Sequence, residues 1–346
     1  MIDLIGVGNG ETLSSIDLTI EDGVPTVLLG PTGAGKTALL RIMAGLDPLH
    51  QGQVNLGGGA PTIALVQAEA CNYPTLSVLE NIAAPLEQLR LDTAEIERKV
   101  RAMARRMGLG PHLDSHPDQL NPEQQQRLAM ARALVKEPDI LLLDDPLASL
   151  NLDQRNQLRG DLVTILAERR GVTVYATSNP REAMMLAART AVLDGGHIVQ
   201  TAKFKTIHRA PATLSVGEFI GNPPINVFPG RIDMANVRFE FGVHFALPEH
   251  FSDLANGPYR FAVRANHLTL AGRLSGDATL PATIELAEDN GIDTTLHLRH
   301  GDTALVALLR NLGTVDNGAA VDVYMDPMRL LAFHMDGTLV AAPEDH

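Results

Sequence analysis

Gly30-Pro31-Thr32-Gly33-Ala34-Gly35-Lys36-Thr37 decides the fold. The run matches G-x-x-x-x-G-K-[ST] and lies between an apolar stretch, Val24 to Gly30, and a helical one, Thr37 to Leu46. Glycines let backbone N–H groups curl around a polyphosphate, Lys36 offsets charge on the β and γ phosphates, and the Thr37 hydroxyl can ligate Mg²⁺. The competing reading is a glycine-rich strand-to-helix turn; the agreement of motif and flanks favours the phosphate loop.

Downstream, Ile140-Leu141-Leu142-Leu143-Asp144-Asp145 reads as a buried strand that ends in carboxylates. Taken alone, two acids after a strand also read as the start of a loop. Paired with the phosphate loop, Asp144 is expected to hold Mg²⁺, directly or through water.

Outward from these two stretches, apolar runs alternate with helical patterns. Thr62 to Gln67 precedes a helix-rich region, Asp139 to Asp145 precedes Leu152 to Arg169, and Thr173 to Thr177 precedes Arg181 to Ala188. Alternation of this kind implies an α/β unit around a mostly parallel, buried sheet. Residues about 75–135 read as a helical insert, with Ile96, Val100, Met103 and Met107 at helical spacing. Val192 to Ala202 reads as a hairpin turning at Asp194-Gly195-Gly196.

Composition changes near residue 205. All nine phenylalanines lie at Phe204 or later, and no lysine follows Lys205. The Gly221-Asn222-Pro223-Pro224 cluster supplies turn residues near that boundary. Beyond 225, short alternating segments such as Ala282 to Ala287, Thr294 to Leu298 and Val321 to Met325 predict a small all-β domain.

With 28 Lys+Arg against 41 Asp+Glu the chain carries a formal charge of −13, which argues against a nucleic-acid surface spread over the whole protein. Cys71 is the single cysteine, so an internal disulfide and a thiolate metal cluster are both excluded, and a reducing, cytosolic setting fits. No export signal opens the sequence and no 18-residue apolar window occurs, so any membrane role is expected to run through a partner.

These residues, with Gln67, the run Gln124 to Leu134 and the Asp144-Asp145-Pro146 stop, resemble the ATP-binding subunits of ABC importers through the first 215 residues. Phe219 to Asn226 is similar to the segment that leads into the OB-like (TOBE) regulatory domain of the carbohydrate-importer branch. Val263-Arg264-Ala265-Asn266-His267-Leu268 is similar to that domain's Arg-Pro-Glu-His-Leu signature, departing at Ala265 and Asn266. Asn72-Tyr73-Pro74 and Val174 to Thr177 resemble the paired ATPase subunits of glycerol importers.

The resemblance implies an α/β P-loop NTPase (ABC ATPase) fold over 1–215, with its helical subdomain, and a C-terminal all-β OB-like domain over 216–346. It implies two nucleotide-binding subunits packed head to tail, each ATP lying between one chain's phosphate loop and the other's signature loop. Gln67 would sense Mg²⁺ and a transmembrane permease, and a solute-binding protein would act through the complex. The implied place is the cytoplasmic face of the cell membrane. The other reading of Gln67 is a strand-end glutamine in solvent.

Departures from the family pattern fall at its working positions. Leu-Ser-Gly-Gly-Gln is here Leu120-Asn121-Pro122-Glu123-Gln124. Pro122 has no N–H and Glu123 brings negative charge toward an anion, although Asn121 could still donate through its amide. As local structure the same residues make a good helix start, with Asn121 as N-cap, Pro122 at N1 and Gln124 at N3, and this reading is preferred. Asp145 stands at the catalytic-glutamate position, shorter by one bond, and Ser178 at the switch-histidine position, followed by a second helix-start pattern, Asn179-Pro180-Arg181-Glu182. Asn151 replaces the D-loop aspartate, and no aromatic residue precedes Tyr73 to stack on adenine.

Asp145 and Ser178 would impair the site built on this chain's own phosphate loop, and Pro122, Glu123 and Asn151 would impair the opposite one. A heterodimer with a complete, non-identical partner is the expectation that follows. A nucleotide-binding regulatory subunit that hydrolyses little is the runner-up, and an ATPase acting on nucleic acid ranks third, because the C-terminal domain is acidic and lacks lysine.

Overall fold

The structure is a computed structural model that describes residues 1–89, 91–186, 189–272, 276–310, 312 and 315–344. The chain divides into two compact units, Met1–Phe204 and Lys205–His346.

The first unit is built on a six-stranded sheet. Its strands are β3 (Thr26–Leu29), β5 (Ile63–Val66), β6 (Ile140–Asp144), β7 (Val172–Thr177), β8 (Arg189–Asp194) and β9 (His197–Lys203). They run in the order β5-β6-β7-β3-β8-β9, parallel except for β9, which forms a hairpin with β8. Every residue of β3, β6 and β7 is buried, as expected for strands covered on both faces. The hairpin turns at Gly195 and Gly196, both at positive φ.

A second sheet completes this unit: β1 (Ile2–Gly8), β2 (Ile16–Ile20) and β4 (Gln51–Asn55), all antiparallel in the order β2-β1-β4. Ile2, Leu4, Ile16, Leu18 and Ile20 are buried in one core with Leu39 and Leu40 of helix α1 (Lys36–Met43) and Leu142 and Val174 of the parallel sheet. The alternation-based reading did not anticipate this sheet.

Between β5 and β6 lie α2 (Val78–Glu87), α3 (Thr93–Arg106) and α4 (Pro122–Leu134), the expected helical insert. Val100 and Met107 are fully buried, in keeping with the periodicity of their stretch. Helices α5 (Leu152–Ala167) and α6 (Pro180–Leu186) follow β6 and β7. Of the helix expected over Arg181 to Ala188, the described residues show Pro180–Leu186; residues 187 and 188 lie outside the described ones. Among the described residues no helix is long and apolar enough to cross a membrane.

The second unit is two antiparallel sheets of six and five strands after a short helix, Leu214–Ile220. Phe228, Phe239, Phe251 and Phe261 fill a shared core with Leu280, Leu296, Leu298 and Val323, which accounts for the late concentration of phenylalanine. The edge strand Thr303–Arg310 is closed by one side chain: Asn226 donates to the Val306 carbonyl at 2.8 Å and accepts from its N–H at 2.7 Å. In the Val263 to Leu268 stretch, buried Arg264 donates to the carbonyl of His208, and burial pushes the His267 imidazole down to about 4.

Candidate functional site

The strands β3, β6 and β7 finish at one level. Leu29 pairs with Thr177 and Asp144 with Ala176, while Val66 at the end of β5 pairs with Leu143. The loop Gly30 to Gly35, the acids Asp144 and Asp145, Ser178 and Gln67 therefore emerge together at the carboxyl edge of the sheet. Ligands of open α/β sheets bind at that edge.

The loop has no room for side chains at two of its glycines. A Cβ on Gly30 would run into the Leu193 carbonyl, and one on Gly35 would lie 2.6 Å from Leu13 Cδ2. Gly35 also sits at φ 103° as the N-cap of α1, where no side chain caps the helix. The first-turn amides of α1 are thus left to an anion, and the helix dipole favours one. Pro31, Thr32, Gly33 and Ala34 complete the turn, with the Ala34 N–H donating to the Pro31 carbonyl.

Lys36 opens α1 with only 7% of its surface exposed. Its Nζ donates to the carbonyls of Gly30 at 2.7 Å and Pro31 at 2.8 Å. Burial lowers its pKa, opposed by the negative charges of Asp145 and Asp144. One turn face further, Thr37 Oγ1 donates to Asp144 Oδ1 at 3.1 Å, which closes the distance between two stretches 107 residues apart in the chain. Asp144 is 8% exposed, and burial raises its pKa; the Thr37 hydrogen bond opposes that and the neighbouring Asp145 reinforces it. A hydroxyl and a carboxylate side by side are the oxygen ligands that Mg²⁺ takes from protein while it keeps waters and phosphate oxygens, so the residues present fit the metal.

Asp145 stands at φ 43° with its N–H donating to Ala176 O, and its carboxylate accepts from Ser178 Oγ at 3.1 Å. The structure thus joins the two residues that the sequence places 33 apart. Behind Ser178 lies a network that sequence reasoning missed. Glu182, buried in the first turn of α6, accepts from Tyr175 Oη at 2.9 Å and Thr177 Oγ1 at 2.7 Å, and Thr177 Oγ1 in turn accepts from the Asn179 N–H. Burial raises the Glu182 pKa. Asn179 accepts from the Arg181 N–H, so the start of α6 differs from that of α4.

Gln67 follows β5 in an exposed position, directly after Val66, which pairs with Leu143 on the neighbouring strand. Its carbonyl accepts from Gln126 Nε2 of α4 at 3.0 Å.

Asn121 to Gln124 form the start of α4. Asn121 Oδ1 accepts from the Gln124 N–H at 2.9 Å and Gln124 Oε1 from the Asn121 N–H at 3.0 Å, a full capping box with Pro122 in the first turn. Glu123 turns inward. It is buried and paired with Arg127 at 2.8 Å, and the same guanidinium meets Asp161 at 2.6 Å. The negative charge expected to face an anion is neutralised within the helix, and the i,i+4 spacing of Glu123 and Arg127 was the signal for it. Among the described residues no hydrogen bond or ion pair joins Asn121 to Gln124 with the phosphate loop of the same chain.

A glycine loop aimed by β3 at the first turn of α1, with a hydroxyl–carboxylate pair beside it, defines a P-loop nucleotide-binding protein. The ABC transporter family model matches residues 13–148 and the TOBE domain model residues 261–333. The sn-glycerol-3-phosphate import ATP-binding protein of Chromohalobacter salexigens is 37% identical over 303 residues, 84% of this chain and 81% of that one. The trehalose/maltose import ATP-binding protein of Thermococcus litoralis is 30% identical over 355 residues, 94% of each chain. A solved ATP-binding cassette, dimeric and bound to ADP and Pi in a post-hydrolysis state, superposes with a TM-score of 0.52 at 25% identity, covering 59% of this chain and 99% of that one. The chain belongs to the family of ABC importer ATP-binding subunits that carry a C-terminal TOBE domain.

Proposed function

We propose that this chain is the ATP-binding subunit of an importer for glycerol, a polyol or a sugar, and that it forms the degenerate half of an ATPase heterodimer. The observation that carries the site is the Thr37–Asp144 hydrogen bond beside Lys36. In this reading Gly30 to Thr37 bind the phosphates of ATP, Thr37, Asp144 and Gln67 hold Mg²⁺, and Asp145 and Ser178 face the attacking water. Mg²⁺, when bound, neutralises phosphate charge. Lys36 exchanges its two loop carbonyls for phosphate oxygens, a gain because a buried ammonium is better paired with full charges.

The relatives' roles in sn-glycerol-3-phosphate and trehalose/maltose import support the solute class. The chain would lie peripherally on the cytoplasmic face, docked on permease subunits that a solute-binding protein serves, with Tyr73, Pro74 and Leu76 as docking candidates; Tyr73 is 48% exposed. ATP binding closes the dimer and hydrolysis or product release reopens it.

Two departures support the heterodimer. The Asp145 carboxylate is one bond short and already engaged by Ser178, and the start of α4 offers Pro122, with no N–H, where the signature loop would donate. A partner with complete motifs would then perform most turnover. The same departures support a second reading, a regulatory subunit that binds nucleotide with little hydrolysis of its own. The test is Mg²⁺-dependent ATPase activity of the purified chain, alone and with a homologous ATP-binding subunit that carries the complete motifs. The heterodimer predicts weak activity alone and a large gain on mixing; vigorous turnover by the lone chain contradicts it.

A further inference from the structure

The segment that follows β5 is sewn to α4 by side chains from both sides. Gln126 Nε2 holds the Gln67 carbonyl at 3.0 Å, and Asn72 Nδ2 holds the Gln125 carbonyl at 2.9 Å. Arg132 donates to the Cys71 carbonyl and lays its guanidinium 4.0 Å above the Tyr73 ring. From the other flank, Ser149 Oγ, in the loop after Asp145, donates to the Ala68 carbonyl at 3.3 Å. Gln126 is 0% exposed.

Three of these ties are incompletely paired. Gln126 Oε1, Asn72 Oδ1 and Arg132 Nε are buried without a partner among the described residues. A half-satisfied buried amide is destabilising, and an apolar side chain of the same size would pack there without that cost. Stability therefore does not account for a glutamine at 126. What Gln126 does is fix the main chain of Gln67, the residue directly after Val66, whose partner across the sheet is Leu143, the residue before Asp144.

We propose that Gln126 is a positioning residue: through the Gln67 carbonyl it sets where the Gln67 side chain stands relative to Asp144 and Thr37, and it ties that placement to the helix that begins at Asn121. The inference rests on the reading of Gln67, Asp144 and Thr37 as the Mg²⁺ end of the site. Displacement of α4 then drags the Gln67 main chain with it, and Gln67 engaged at the site holds α4 in place. Ser149 acts on the next carbonyl from the Asp145 side, so both flanks of the site converge on one turn of chain.

The test compares ATP affinity with Mg²⁺ and with EDTA in the full chain, for the parent, Gln126→Met and Ser149→Ala. Gln126→Met keeps the volume and removes both the donor and the unpaired oxygen. Its melting temperature is expected to equal or exceed the parent's, its affinity in EDTA to match the parent's, and its gain on adding Mg²⁺ to shrink by about tenfold. Ser149→Ala, at an exposed position that tolerates truncation, is expected to shrink the gain about threefold. Gains equal to the parent's in the folded variants overturn the positioning role; should Gln126→Met not fold, Ser149→Ala decides. A parent chain whose affinity for ATP does not respond to Mg²⁺ contradicts the underlying reading of the metal site, a different and distinguishable result.

Discussion

Asp145 and Ser178 show how two substitutions alter one another. A serine hydroxyl at 178 reaches the shortened carboxylate at 3.1 Å and gives it a hydrogen bond, while Asp145 itself is held at φ 43° by the strand end. The pair is self-contained, so changing one member leaves the other without its partner. Asp145→Glu together with Ser178→His is therefore expected to raise ATPase activity of the assembled complex by roughly tenfold or more, as general-base catalysis typically contributes 10²–10⁴-fold. Steady-state turnover beside intact ATP binding checks it. A gain favours an impaired enzyme, and no gain favours the regulatory subunit.

At the scale of elements, the start of α4 is the most informative departure. The capping box engages Asn121 Oδ1 and Gln124 Oε1 within the helix start, and the Glu123 carboxylate pairs inward with Arg127. Asn121→Ala removes the cap and is expected to cost about 1 kcal/mol, read as a lower melting temperature. Equal stability would show that the cap is not what Asn121 supplies.

Legibility of the elements followed their physics. The strands β3, β6 and β7 announce themselves because burial on both faces demands unbroken apolar runs, and α3 because Val100 and Met107 repeat at helical spacing. The β1-β2-β4 sheet was missed, although Ile16 to Ile20 alternates cleanly, because β4 carries no apolar pattern and the pairing of β1 is broken by irregularities. Loop residues were legible by chemical type, since only Gly, Lys, Thr and Asp suit a phosphate and its metal. Directions of side chains were less so: the i,i+4 spacing of Glu123 and Arg127 signals their pair, but the contact of Arg127 with Asp161 has no local signal, and the Tyr175–Glu182 network rests on packing that no local pattern encodes.

For the whole molecule, an acidic chain with a charge of −13 sets two cations beside the proposed working elements, Lys36 in the loop and Arg127 behind the start of α4, apart from the buried Arg264 of the C-terminal unit. Both sit in the first unit, whereas the second carries an aromatic core and an edge strand sealed by Asn226, features of a stable appended domain. In the proposed reading, chemistry lies at the carboxyl edge of the parallel sheet and the C-terminal unit is left for assembly or regulation. All of it depends on the loop at Lys36 binding a nucleotide. Calorimetric titration of Mg-ATP into the full chain and into Lys36→Ala tests that directly. One site per chain, weakened by about tenfold or more in the variant, is the predicted result, as expected when a charge-assisted contact is lost. No heat of binding in the parent, or equal affinity in both, would contradict it.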